Sequence, residues 1–211
     1  MKTIPHWING QYYEGSPTGC FEVENPGTGD IEAELLQASD ADLDHAVDVA
    51  RRAQKEWARV PLAKRTAIMF RMRQLVLDHQ DEMARMIVAE HGKNYSDAVG
   101  EIQRGRETLD FATAINAALK GEYSFDVSTG VDIHTLRQPV GVVAGICPFN
   151  FPAMVPMWMH PLAIATGNAF ILKPASATPS AALLTAELYK KAGLPDGVFN
   201  VVSGNRTMVS K

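Results

Sequence analysis

Three stretches decide the fold: PVGVVAGICPFNFP (139–152), AFILKP (169–174) and GVFNVV (197–202). Each contains a near-continuous apolar run of strand length. The residues between them, 152–167 and 179–193, are helical in character, and Thr178-Pro179 marks the predicted cap and start of the second helix. Buried strands that alternate with helices indicate a parallel sheet covered on both faces. The pattern predicts an α/β fold in which residues 139–211 form part of a doubly wound, Rossmann-like sheet.

A doubly wound sheet of this kind is typical of nucleotide-binding domains, and residues 1–122 are predicted to form β-hairpins and a helical region of the same domain. WINGQYY (7–13) places Asn9-Gly10 between two short strands, which is a strong signal for a tight turn, and FEVENPGTGDIEAELL (21–36) predicts a second hairpin. Four amphipathic helices are expected to follow. Their signals are a capping box at Ser39–Asp42, a start after Pro61, a segment 81–91 that stops at Gly92, and a segment from Ser96 to about Lys120.

Residues 123–138, YSFDVSTGVDIHTLRQ, predict a two-stranded ribbon about a Ser-Thr-Gly turn. Polar residues alternate along it, so the ribbon has little core of its own. We therefore expect it to pack against another surface, as an oligomerisation-type ribbon does.

Composition excludes several classes of function. The chain has 46% hydrophobic and 21% charged residues and a net charge of −4, with no basic face for nucleic acid. The longest apolar stretch, 149–165, is interrupted by Asn, His and Pro, so neither a membrane span nor a signal peptide is expected. Cys20 and Cys147 lie far apart without a CxxC motif, which argues against zinc and fits a reducing compartment. We expect a cytoplasmic protein.

The string ICPFNFP (146–152) is the most specific in the sequence. Together with PVGVVAGI before it, PLAIATGNAFILKP (161–174) and GLPDGVFNVVSG (193–204), it resembles the aldehyde dehydrogenase superfamily over essentially all 211 residues. PFNFP followed by MVPMWMHPLAIATGN (154–168) is most similar to the methylmalonate-semialdehyde dehydrogenase branch. The resemblance implies the N-terminal part of an aldehyde dehydrogenase fold, with the catalytic domain outside these residues.

Asn150 is the candidate oxyanion residue. It follows the first parallel strand, where open α/β sheets place their ligands, and its amide is able to donate to an oxygen that gains negative charge. Spacing alone favours an Asn that closes a turn before Phe-Pro. The resemblance reverses this preference, because the family's motif Asn contributes to the oxyanion site.

Lys173 ends the second parallel strand, and spacing alone favours a solvated charge at that position. The resemblance instead implies that Lys173 contacts the adenosine ribose of NAD. The family often has Glu where this chain has Ser176, and such a carboxylate would repel the 2′-phosphate of NADP, so NADP remains open as cofactor. The remaining cofactor-binding residues implied by the resemblance are Ile146, Cys147, Pro148, Phe149 and Ala177.

Arg104 is the candidate substrate residue. Taken alone it is a helix-surface charge beside Glu101 and Glu107. In the semialdehyde branch, an Arg at this place resembles the partner of the substrate carboxylate, which a guanidinium binds with two parallel hydrogen bonds. Arg106 is the nearby competitor.

The family nucleophile is a Cys that neither Cys20 nor Cys147 matches, so this polypeptide alone is expected to be inactive. For the parent enzyme, the resemblance implies NAD-dependent, CoA-acylating oxidation of a small semialdehyde in a homodimer or homotetramer, with a place in valine catabolism. No metal, nucleic acid or membrane partner is expected. A non-acylating aldehyde dehydrogenase and a non-catalytic homologue that only binds partner subunits remain as alternatives.

Overall fold

A computed structural model describes residues 2–210. The strands are β1 (Lys2–Ile4), β2 (His6–Ile8), β3 (Gln11–Tyr13), β4 (Gly19–Asn25), β5 (Asp30–Gln37), β6 (Tyr123–Ser128), β7 (Val131–His134), β8 (Val142–Ile146), β9 (Ala169–Lys173) and β10 (Phe199–Val201). The helices are α1 (Asp40–Trp57), α2 (Leu62–Asp78), α3 (Gln80–His91), α4 (Tyr95–Thr113), α5 (Met154–Ala165), α6 (Ser180–Lys191) and α7 (Arg206–Val209).

The predicted parallel sheet is confirmed in strands β8, β9 and β10, which pair in that order through the connecting helices α5 and α6. Side chains of β9 alternate between two cores, as the strand period requires. Phe170 and Leu172 join the core beneath α5 and α6, whereas Ala169 and Ile171 join the core beneath α1. The sheet is therefore covered on both faces.

The sheet has five strands, in the order β3-β2-β10-β9-β8. The predicted Asn9-Gly10 turn is present, and both residues have positive φ (57° and 74°). The hairpin it closes extends the sheet, because β2 pairs antiparallel with β10 through Trp7 and Val201. The Asn9 amide N–H also donates to the Asn200 side chain at 3.1 Å. The N-terminal hairpin thus covers one edge of the parallel strands.

The second predicted hairpin forms β4 and β5, and β1 adds to it in parallel as a three-stranded sheet. The capping box that starts α1 is present: Ser39 accepts from the Asp42 N–H, and Asp42 accepts from the Ser39 N–H. Gly92 ends α3 in the left-handed conformation, as predicted.

Helix α4 differs from its predicted bounds of Ser96 to about Lys120. Asn94 caps the helix, because its side-chain oxygen accepts from the Asp97 N–H at 2.9 Å, while the Ser96 hydroxyl donates to the same Asn94 oxygen. The helix ends at Thr113, where tighter i→i+3 hydrogen bonds replace the α-helical ladder and the chain turns to bury Ile115.

The predicted cap of α6 is wrong. The Thr178 hydroxyl is buried and has no hydrogen-bond partner in the described chain. The helix begins at Ser180, whose N–H donates to the Glu90 carboxylate at 3.1 Å. A side chain from α3 therefore caps α6 across 90 positions of sequence, which no local pattern reveals.

The predicted ribbon is confirmed as β6 and β7, and all its strand residues are exposed. Tyr123, Phe125 and Ile133 are more than half exposed. Within residues 2–210 these two strands pair only with each other.

Candidate functional site

The carboxyl ends of β8 and β9 lie side by side. Ile146 and Lys173 are register partners, and the Cys147 N–H donates to the Lys173 carbonyl at 3.0 Å. The segments 147–153 and 174–179 therefore leave the sheet from the same edge. The structure brings together the residues that sequence analysis assigned to the cofactor site from two separate motifs.

Asn150 presents a side-chain amide that has no hydrogen-bond partner among the described residues. The residue is exposed, and only its backbone oxygen is engaged, as acceptor from Lys93 Nζ at 2.9 Å. A turn-closing Asn would use its amide on the nearby backbone. This amide is free to donate to a ligand.

A cavity of about 500 Å³ opens beside Asn150. Its lining includes Arg104 and the buried Glu101 on α4, Lys93 just before that helix, and Phe151 next to Asn150. The two polar residues that sequence analysis singled out for the oxyanion and for the substrate carboxylate, Asn150 and Arg104, thus face one space.

Arg104 is exposed and makes no ion pair or hydrogen bond with any described residue. The alternative that it pairs with Glu101 is not realised, because Glu101 points inward and binds Lys93. Arg106 is half-buried, its Nε has no hydrogen-bond partner in residues 2–210, and it does not line the cavity. Geometry therefore favours Arg104 over Arg106 as the residue that meets a ligand.

Lys93 and Glu101 are residues of the site that sequence reasoning missed. The sequence identifies Glu101 only as a helix neighbour of Arg104 and indicates no role for Lys93. Their side chains are 10% and 1% exposed. Glu101 accepts hydrogen bonds from the N–H groups of Ala153 (2.9 Å) and Met154 (3.2 Å), which are the N-cap and the first residue of α5. The sequence feature that could have drawn attention to Lys93 is its position directly after Gly92, where helix α3 ends.

Lys173 is half-buried, and desolvation lowers its pKa. No carboxylate or other acceptor contacts its ammonium group in the part of the chain described. Ser176 and Ala177 follow in the adjoining loop, which contains no acidic residue between 174 and 179. An ammonium group without a partner at the strand end, followed by a hydroxyl three residues later in the loop, is a donor set that suits the ribose hydroxyls of a nicotinamide dinucleotide. These residues therefore fit the cofactor that the resemblance implies.

Cys147 does not have the character of a nucleophile. Its side chain is buried, and burial raises the pKa of the thiol to about 12, with Lys173 opposing the shift. The thiol is therefore protonated near neutral pH. Cys20 is exposed on β4, outside the cavity.

Residues 2–210 contain no group of three His, Cys, Asp or Glu side chains placed to hold a metal ion. In the same range, no helix has both the length and the apolarity needed to cross a membrane.

Residues 12–211 match the sequence profile described as "Aldehyde dehydrogenase family". The chain is 43% identical over 210 residues to malonate-semialdehyde dehydrogenase 2 of Oceanobacillus iheyensis, covering 100% of this chain and 43% of that protein. It spans less than half the length of the curated relatives it matches.

Two solved structures superimpose closely on the chain. The methylmalonate-semialdehyde dehydrogenase of Oceanimonas doudoroffii has a TM-score of 0.96 and 47% identity. A protein of Sinorhizobium meliloti 1021 assigned as methylmalonate-semialdehyde dehydrogenase, solved in complex with NAD, has a TM-score of 0.97 and 43% identity. Each comparison covers 100% of this chain and 43% of the other.

Proposed function

The chain belongs to the aldehyde dehydrogenase family, and from this premise we propose that the whole protein is an NAD-dependent, CoA-acylating malonate- or methylmalonate-semialdehyde dehydrogenase. The proposed products are acetyl-CoA from malonate semialdehyde and propionyl-CoA from methylmalonate semialdehyde, with loss of CO₂ in each case. One observation carries the proposal: an unpaired guanidinium, Arg104, and a free amide, Asn150, line the same cavity of about 500 Å³.

The two groups suit the two ends of the substrate. The Arg104 guanidinium binds the carboxylate through charge-assisted hydrogen bonds, and this selects a carboxylated aldehyde over a neutral one. The Asn150 amide donates to the aldehyde oxygen as that oxygen gains negative charge, so it favours the tetrahedral state. Their shared cavity allows one small molecule to use both groups.

The cofactor would be held by Lys173, Ser176 and Ala177 on the β9 side and by Ile146, Cys147, Pro148 and Phe149 on the β8 side. Lys173 supplies a cationic donor for the ribose hydroxyls, while Ile146 and Phe149, which are 57% and 63% exposed, offer apolar surface. When bound, the cofactor accepts the hydride of the aldehyde. Ser176 places no negative charge in its loop, so the proposal includes NADP as a second substrate of the site.

We also propose a cytoplasmic homo-oligomer, a dimer or tetramer, in which the ribbon β6–β7 packs on another surface. The support is the exposure of large apolar side chains on this ribbon, at Tyr123, Phe125 and Ile133.

The test uses the completed enzyme, in which residues 1–211 are joined to the remaining portion of the Oceanobacillus iheyensis relative. It is supplied with malonate semialdehyde, NAD and CoA, and NADH is followed by absorbance while acyl products are identified by mass spectrometry. NADH formation with equimolar acetyl-CoA supports the proposal. A free carboxylate as product, unchanged by CoA, would establish the non-acylating alternative, and no turnover of any aldehyde would favour the non-catalytic one.

A further inference from the structure

The buried Glu101 carboxylate joins two separate segments of the site. One of its oxygens accepts both N–H groups at the start of α5, from Ala153 and Met154, and its other oxygen binds Lys93 Nζ. A carboxylate at a helix N-terminus is favourable because it accepts hydrogen bonds from the unpaired N–H groups there and interacts with the positive end of the helix dipole. Glu101 thus fixes α4 against the beginning of α5.

Lys93 extends this connection to the loop that carries Asn150. Its Nζ donates to the Asn150 carbonyl at 2.9 Å and lies 4.7 Å from the centre of the Phe151 ring. The ammonium group is therefore held by a carboxylate, a carbonyl and an aromatic face at once. Because its side chain is only 10% exposed, water competes little for these contacts.

Helix α4 carries Glu101 and Arg104 one turn apart, and it packs very closely on α5. A Cβ added at Gly105 would lie 3.1 Å from the Met154 Cα atom and 2.7 Å from the Met157 methyl carbon. The absence of a side chain at Gly105 permits this approach. The position of Arg104 relative to Asn150 is consequently determined by the contacts of Glu101, Lys93 and Gly105.

We propose that Lys93 and Glu101 are positioning residues that hold the Asn150 loop at a fixed distance from the helix bearing Arg104, so that one semialdehyde meets both groups together. This inference rests on the proposed function for the roles of Asn150 and Arg104. Both residues also line the cavity, but the charged end of Lys93 is bound to Glu101 and to the Asn150 carbonyl, and Glu101 also binds the N–H groups of Ala153 and Met154. They therefore act on the substrate through the positions of Asn150 and Arg104. Their mutual pairing also cancels their charges, which leaves the unpaired Arg104 as the cation that recognises a carboxylate.

The first test is Lys93→Met in the completed enzyme, assayed with malonate semialdehyde and with propanal. A displacement near 1 Å costs on the order of 100-fold in rate, so we expect kcat to fall about 10- to 100-fold on both aldehydes. The KM for propanal should change less than kcat, because a neutral aldehyde forms no ion pair in the cavity and Lys93 is the one lining residue that the variant replaces. Lys93→Arg, which keeps the cation, should recover much of the loss. Arg85→Met is the matched control, because Arg85 forms an exposed ion pair with Asp81 away from the cavity.

A double-mutant cycle separates positioning from general stability. If Lys93 acts through Asn150, then Lys93→Met added to Asn150→Ala should cause little further loss of kcat, since neighbours that act as a unit are not additive. Fully additive losses would overturn the proposal. So would unchanged kcat in Lys93→Met, or an equal loss in the Arg85→Met control.

Amide hydrogen exchange over residues 148–154 provides a readout that needs no substrate. Lys93→Met and Glu101→Leu should both accelerate exchange there, while exchange in β9 stays the same. Faster exchange without any change in kcat would mean that the pair orders the loop but does not position Asn150. If the wild-type enzyme oxidises propanal but not malonate semialdehyde, the proposed substrate fails while the positioning test on propanal still stands.

Discussion

Replacing Arg104 by Leu in the completed enzyme tests substrate recognition most directly. The guanidinium is exposed and unpaired within residues 2–210, so its removal breaks no contact of the folded chain described here. Surface substitutions of this kind change the free energy of unfolding by about 0.5 kcal/mol or less. Any larger effect must therefore arise when substrate binds.

The size of that effect follows from the bond that is lost. A charge-assisted hydrogen bond to a carboxylate contributes about 1.5–3 kcal/mol, which corresponds to about a ten- to a hundredfold change in kcat/KM. We expect this loss for malonate semialdehyde, chiefly as a raised KM. Propanal has no carboxylate, so its kcat/KM should change by less than about threefold, equivalent to about 0.6 kcal/mol.

The kcat/KM values of wild type and Arg104→Leu for the two aldehydes are obtained from steady-state rates of NADH formation. Arg106→Leu is the matched control, because Arg106 lies two residues from Arg104 but does not line the cavity. Equal losses on both aldehydes would point to a folding defect. No loss on either would return Arg104 to an ordinary surface charge. A selective loss in Arg106→Leu would show that the wrong arginine was assigned.

Three further predictions concern pH, thiol reactivity and cofactor choice. Burial raises the pKa of Glu90 from 4.5 to about 7, so the folded state binds this proton more tightly than the unfolded state does. The free energy of unfolding of the wild type, measured by urea titration relative to Glu90→Gln, should therefore fall by about 3 kcal/mol as the pH rises from about 4.5 through about 7, and then level off. In residues 1–211 alone, iodoacetamide at pH 7 should modify the exposed Cys20 far faster than Cys147, whose thiol is buried and has a pKa of about 12; rapid modification of Cys147 would contradict its burial. The same polypeptide should reduce no NAD with any aldehyde. Ser176→Glu in the completed enzyme should lower kcat/KM for NADP at least about tenfold more than for NAD, because a carboxylate repels the 2′-phosphate; equal effects on both cofactors would place Ser176 away from the ribose.

The parallel strands and most helices were predictable because their signals are local. The apolar runs of β8 and β9 have strand length, and Ser39 and Gly92 mark helix ends by their own chemistry. Helix α6 shows the limit of such signals. Its capping group comes from Glu90 on another helix, so the local Thr-Pro pattern predicted the wrong cap.

The candidate site was predictable one residue at a time but not as an arrangement. Asn150 and Arg104 were each singled out by the family resemblance, yet their shared cavity depends on how α4 packs on α5. Lys93 reaches the Asn150 carbonyl across 57 positions of sequence, and such a contact has no periodicity or spacing that would reveal it. Its partner Glu101 was named only as a neighbour of Arg104, because helix position alone does not show which way a carboxylate points.

The pairing of the N-terminal hairpin with β10 has a consequence for synthesis on the ribosome. Asn9 and its partner Asn200 are 191 positions apart, so β2 and β3 cannot take their place in the five-stranded sheet until β10 has been translated. At about 5–20 residues per second, this interval is roughly 10 to 40 s. Throughout that time the edge of β2 that later meets β10 is an open strand edge, available to neighbouring nascent chains or to a chaperone.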